Sequence, residues 1–346
     1  MAGNDGERAR AQKKPWFRRE AEAVRHEPPG WRTGPAWQEM HGRRRGGKVK
    51  AGIAVVGIAA LALVVLRPEL LIDRVTGADE QRDAKPLAAE TGRPTAPPEA
   101  VVADQPTVKE PFRGSPAAQW ADGAAGIEVP EAKAVGGMTK QQVADALRRT
   151  KELLVAANVD PRTLRGERPE AALRLLEPRQ AEVHGMLVKG LAAPGKKQDP
   201  VQMFTRFDPA EVRVLGDAVK TRGRMWFEAA ERPGEVVVKA DYSFVYPLVR
   251  AKKGSEEVAR TIVRRQLTVA VNDPRRYEVT KGTLAVIEYP NEMANSACDV
   301  HDGFLHPTFP SDARTPGTAP SGPAEDPYDR STELSSDEGC GQVSRT

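Results

Sequence analysis

Between Val219 and Tyr289 the chain alternates apolar and polar side chains, and this period of two fixes most of what it can fold into. Val219, Thr221, Met225 and Phe227 alternate with Lys220, Arg222, Arg224 and Glu228. Arg232-Pro233-Gly234 then makes a turn. The next run sets Val236, Val238, Ala240, Tyr242, Phe244, Tyr246 and Leu248 against Lys239, Asp241 and Ser243, and Lys252-Lys253-Gly254-Ser255 turns it back. Over 258–271, Thr261, Val263, Leu267, Val269 and Val271 oppose Arg260, Arg264, Gln266 and Thr268. Asn272-Asp273-Pro274 leads to a fourth expected strand over 277–289. Four long strands with short turns predict an antiparallel meander with one apolar and one solvated face. Strands this long must twist, and Gly216 and Gly223 are the candidate bend or bulge points.

The segment before the strands reads as helical. Thr139 and Gln142 have capping-box spacing, and Val143, Leu147, Leu154 and Ala157 follow at helical intervals until Asn158 and Asp160-Pro161. A second helix opens at Pro169 and runs through Leu176, and a third carries Val183, Met186, Leu187 and Leu191 before Pro194-Gly195. Helices first and a sheet afterwards is an α+β pattern, with N-terminal helices packed on a curled antiparallel sheet of four or more strands. That element order, over residues 139–300, resembles the cone-shaped NTF2-like fold. With the apolar segment described next, the chain resembles membrane-anchored envelope proteins of actinobacteria. The resemblance implies an assembly or binding domain more often than an enzyme.

Charge is unevenly spread. Residues 1–50 hold 13 Lys/Arg and 6 Asp/Glu, a balance of +7, whereas residues 51–346 hold 39 and 42, a balance of −3. Arg43, Arg44, Arg45, Lys48 and Lys50 directly precede Ala51–Leu66, which has no charged or polar side chain. Sixteen helical residues span about 24 Å against a bilayer core of about 30 Å, and Val49 and Leu70–Ile72 extend the run. A buried core helix would show a polar face, and a cleaved signal peptide would show a small-x-small site. The sequence therefore predicts a single-pass signal anchor, oriented by those five basic residues with the N-terminus cytoplasmic and the C-terminal domain extracytoplasmic. The expected organisation is a disordered basic cytoplasmic arm over 1–48, a transmembrane helix over 49–72 and a Pro/Ala/acidic linker or stalk over 73–137. An extracytoplasmic α+β domain over 138–305 and a disordered tail over 306–346 complete it.

Two cysteines exclude a disulfide-rich scaffold and an iron–sulfur protein. Cys298 and Cys340 can pair within one chain, pair between chains or stay free, the first being the favoured reading. Cys298, Asp299, His301, Asp302 and His306 are metal-ligand types, but no second ligand cluster completes a site, so no metal or cofactor is expected. Asp241 and Glu228 on adjacent strands invite an acid–base reading, and cross-strand ion pairing explains them more simply. There is no phosphate loop, no nucleophile elbow and no HExxH.

The remaining candidates concern binding. Trp16, Phe17, Trp31 and Trp37 are candidate partner-docking anchors, with contact to a membrane surface as the blander reading. Trp226, Tyr242, Phe244 and Tyr246 are candidate cavity-lining residues if they are not simply core. Lys220, Arg222, Arg224, Arg260 and Arg264 form a basic strip that suits an anionic partner or a solvated, salt-bridged face. The expectation is a non-enzymatic membrane adaptor or scaffold of the cell envelope, with protein partners in cytoplasm and envelope. Homo-oligomerisation is open, and no specific nucleic acid is expected. A ligand- or polymer-binding module with an aromatic-lined cavity is the alternative, and an envelope hydrolase the third.

Overall fold

The computed structural model describes residues 105–216, 219–312, 324–331, 334 and 340–346. The arm over 1–48, the segment over 49–72 and the docking and orienting residues assigned to them (Trp16, Phe17, Trp31, Trp37, Arg43, Arg44, Arg45, Lys48 and Lys50) lie outside the described residues.

Helix α1 (Lys140–Asn158) starts where the capping box requires. The Thr139 hydroxyl accepts from the Gln142 amide at 3.3 Å, and the Gln142 side-chain oxygen accepts from the Thr139 amide at 2.9 Å. Val143, Ala146, Leu147, Leu153, Leu154 and Ala157 make its buried stripe. Asp160 caps the next turn, α2 (Pro161–Leu164), by accepting from the Arg162 and Thr163 amides. Helices α3 (Glu170–Leu173) and α4 (Met186–Ala192) are short, and a five-residue π turn, Ala181–Gly185, leads into α4.

Strands β1 (Ala121–Asp122), β2 (Val212–Val214), β3 (Lys220–Ala229), β4 (Glu235–Arg250), β5 (Val258–Asn272), β6 (Ala285–Glu288) and β7 (Asn291–Ala294) make one antiparallel sheet. Its main path runs β1-β3-β4-β5-β6, with β2 also on β4 and β7 also on β5. The α+β expectation therefore stands. The fourth strand differs from the one expected over 277–289. Tyr277 and Thr280 turn away, with the Tyr277 hydroxyl on the Pro233 carbonyl at 2.9 Å and Thr280 on Glu177. Pro290 then divides the remaining strand into β6 and β7.

Gly223 is not a bulge, since the β3–β4 register runs through it unbroken. It is a close approach: a Cβ there would lie 2.2 Å from the Asp241 carbonyl oxygen and 2.3 Å from the Tyr242 ring.

The even-numbered β4 residues from Val236 to Leu248 join β5 residues such as Val263, Leu267 and Val269 in the core beneath the helices. The opposite face corrects the sequence reading. It is covered as well, and β5 is buried along its whole length except at Gln266. Phe112, Ala117 and Trp120, placed in the expected linker, pack there with Val245, Ile262, Ala294 and Tyr328. Leu305, Phe309, Tyr328 and Arg330, placed at or beyond the domain's expected end, are buried too. Segments on both sides of 138–305 therefore pack on the same sheet. A Pro-rich composition hid the anchors that fold these segments back.

The membrane assignment is also corrected. No helix among the described residues is long and apolar enough to cross a membrane. The longest, α1, carries Lys140, Asp145, Arg148, Arg149, Lys151 and Glu152 and is amphipathic. The expected single-pass localisation in a cell envelope, with the membrane as partner, has no supporting observation among the described residues.

Candidate interaction surface

The second face of the sheet concentrates charge around Asp241. Antiparallel register places Arg224 opposite Asp241, and Ser243 between Arg222 and Arg264. Arg264 donates to both Asp241 carboxylate oxygens, from Nε at 3.1 Å and from Nη2 at 3.0 Å. Arg330, arriving from the C-terminal segment, lies 2.9 Å from the same carboxylate. It also donates to the Ser243 hydroxyl at 2.7 Å, the Asp241 carbonyl at 2.7 Å and the Arg222 carbonyl at 3.1 Å. Asp241, Arg264 and Arg330 are all buried. Burial pushes the Arg330 guanidinium down to about 10, against the pull of Asp241. Burial also lowers the pKa of Arg224 and Arg260.

The basic strip is therefore not one solvated row. Arg260 and Arg264 are sealed, whereas Lys220, Arg222 and Arg224 are half-buried toward the β3 side. Arg260 donates to the Arg113 carbonyl at 2.8 Å, and Lys220 pairs with Asp122 at 2.8 Å. The Arg224 guanidinium sits over the Trp226 ring, 4.8 Å from its centroid. Glu228 pairs with Lys239 at 2.7 Å. Asp241 and Glu228 are thus each tied to cations and form no acid–base pair with one another.

β3 is an edge over most of its length. Among the described residues β1 pairs only with Lys220 and Thr221, and no strand flanks Arg222–Ala229 on the side away from β4. That edge was missed at the sequence level, because the order of strands is not written in their alternation.

The four aromatic candidates do not share a cavity. Tyr242, Phe244 and Tyr246 are fully buried under the helices, and Trp226 lies on the opposite face, half-buried beside Lys239 in the register. The Tyr246 hydroxyl donates to the Asn158 carbonyl at 2.8 Å, and the Tyr242 hydroxyl donates to the Glu128 carbonyl at 3.1 Å. Burial raises the pKa of both phenols. A small concavity with room for about one water lies nearby between Leu153, Leu154, Met203, Leu267 and Tyr289. Arg265 borders it, a buried cation that the sequence reading passed over. Its guanidinium donates to the Asn158 side chain at 2.5 Å, the Gln202 carbonyl at 2.7 Å and the Val201 carbonyl at 2.9 Å, so it is a tie between α1 and the 200–205 turn. Burial lowers its pKa to about 10.

Cys298 and Cys340 are joined by a disulfide with Cα atoms 5.9 Å apart. His301 and His306 do not converge on the cysteine. His306 bridges Glu211 at 3.1 Å and Asp302 at 3.0 Å, while His301 stands 3.7 Å from Asp199. Burial works against protonation of His306, but its two carboxylate partners outweigh it and raise its pKa. Burial raises the pKa of Asp199. Among the described residues no group of three or more metal-ligating side chains converges.

No protein family, curated relative or solved structure matches this chain. The resemblance to NTF2-like envelope proteins gains no relative from these comparisons.

Proposed function

We propose that this chain is a non-catalytic adaptor whose folded domain takes up a partner strand along the outer edge of β3. The observation that carries this reading is the run Arg222–Ala229, which has β4 on one side and no strand on the other among the described residues. Such an edge offers backbone donors and acceptors to an incoming strand. Its outward side chains supply selectivity: Arg222, Arg224 and Trp226 lie at alternate positions on one face, with Arg224 stacked on Trp226. A strand with acidic residues at alternate positions would meet these arginines in addition to the contacts they already make within the chain. Antiparallel pairing of two β3 edges centred near Arg224 would set arginine against arginine, so a different protein fits better than a second copy.

The test is site-specific photo-crosslinking in the native host. A crosslinker at position 226 is expected to give one discrete protein adduct, lost when Arg222→Glu and Arg224→Glu are introduced together. A crosslinker at exposed Arg174 on the helix side should not give it. An adduct formed equally from both positions, or one indifferent to the charge reversal, overturns the proposal.

A further inference from the structure

The C-terminal segment does not join the sheet it covers. Residues 324–331 pair through β8 (Ala324–Glu325) with β9 (Gln342–Val343), in parallel and apart from the main sheet. Their grip on β3–β5 is made by two side chains. Tyr328 is fully buried beside Trp120, ring centroids 5.7 Å apart and edge-on, with its hydroxyl 2.7 Å from that of Ser115. Arg330 is fully buried in the cluster of Asp241, Ser243 and the Arg222 carbonyl. Asp326–Asp329 form a turn, with the Asp329 amide donating to the Asp326 carbonyl at 2.8 Å, and Tyr328 and Arg330 both reach the same sheet face from it. Tyrosine and arginine are also the residues that most often carry binding energy at protein interfaces.

The socket stays balanced without them. Asp241 keeps both of its bonds to Arg264 when Arg330 leaves, so no buried carboxylate is stranded. What is uncovered is an apolar slot of Trp120, Val245 and Ile262 beside a carboxylate. The disulfide ties Cys340, just before β9, to Cys298, and β9 in turn pairs with β8.

We propose that this face is a docking surface for a turn-forming segment bearing tyrosine and arginine two residues apart, and that residues 324–331 are its resident, intramolecular occupant. Charge complementarity selects the arginine, through Asp241, and the Trp120 slot selects the tyrosine. A dithiol reductant would give two electrons and two protons to Cys298 and Cys340, closing to its own disulfide, and so lower the local concentration of the resident segment. The slot meets β3 at Arg222, whose carbonyl accepts from Arg330, but it takes its occupant on the sheet face and not along the outer edge of β3.

The probe is a fluorescein-labelled peptide of residues 324–331, read by anisotropy against the full chain. Three forms are compared: oxidised, reduced, and oxidised with Tyr328→Ala and Arg330→Ala together. The peptide is expected to bind the last two at least tenfold more tightly than the first. Replacing its tyrosine or its arginine by alanine should cost tenfold or more. Circular dichroism reports whether each form keeps its fold. If both opened forms keep native spectra and do not bind, or if binding ignores the peptide's tyrosine and arginine, the proposal falls. If both lose their native spectra, it falls as well, because the segment is then an obligatory part of the core and not a replaceable occupant.

Discussion

Arg264 holds Asp241 with two parallel hydrogen bonds, at 3.1 and 3.0 Å, and both side chains are almost sealed from water. A single carboxylate thereby neutralises Arg264 and also meets Arg330. Removing it strands two buried cations. Asp241→Ala is expected to destabilise the fold by about 3–5 kcal/mol. Arg330→Ala should cost less, since Asp241 keeps Arg264. Urea unfolding of both variants tests the order, and equal losses would show that the pair is not the centre of this face.

His306 gives the fold a pH dependence whose sign follows from its two carboxylate partners. Its folded pKa is raised, so its contribution is fully present below the unfolded value of about 6.5 and is lost as pH rises through the folded pKa. Asp302 acts in the opposite direction, because its pKa is lowered and its contribution fades on acidification. Subtracting the stability–pH profile of His306→Gln from that of the native chain should leave a fall with rising pH starting near 6.5. A flat difference would mean that the Glu211–His306–Asp302 bridge carries no linkage.

Gly223→Ala is expected to destabilise by about 1–3 kcal/mol through overpacking. Its Cβ would meet the Asp241 carbonyl at 2.2 Å, and a backbone atom cannot step aside. Gly195→Ala is the control, with nothing within 4 Å of its Cβ. Thermal melts that shift equally for both would refute the close approach.

Opening the disulfide, which links residues 42 positions apart, should cost about 4 kcal/mol on the loop-entropy account. Unfolding of the native chain with and without reductant reads it, with Cys298→Ala and Cys340→Ala together as the reductant-insensitive control. An unchanged midpoint on reduction would show that the cross-link constrains little of the unfolded chain.

The sheet was legible because each strand writes its own period. Val236 to Leu248 alternates without exception at the core-facing positions, and Gly234 and Gly254 sit at the turns with φ of +86° and +81°. The capping box of α1 was legible for the same local reason. The second face was not. Asp241, Ser243 and Arg264 read as solvated because their partner, Arg330, lies 66 residues beyond Arg264 and 89 beyond Asp241 along the chain. Ser115 and Tyr328, in hydrogen-bond contact, are 213 residues apart. Alternation says which side chains share a face; it does not say what folds back over that face. Phe112 and Trp120 were likewise masked by the prolines around them.

Arg260 binds the Arg113 carbonyl through Nη1 and the Thr346 carbonyl through Nη2. The segments that carry Arg113 and Thr346 are therefore clamped by one guanidinium. A pull applied between residues 113 and 346 would be borne first by that clamp and then by the Cys298–Cys340 disulfide. The long β3–β4–β5 ladder would lie off the load path. Mechanically the domain hangs from its chain as a pendant, so the sheet can stay intact while the segments above it are tugged apart.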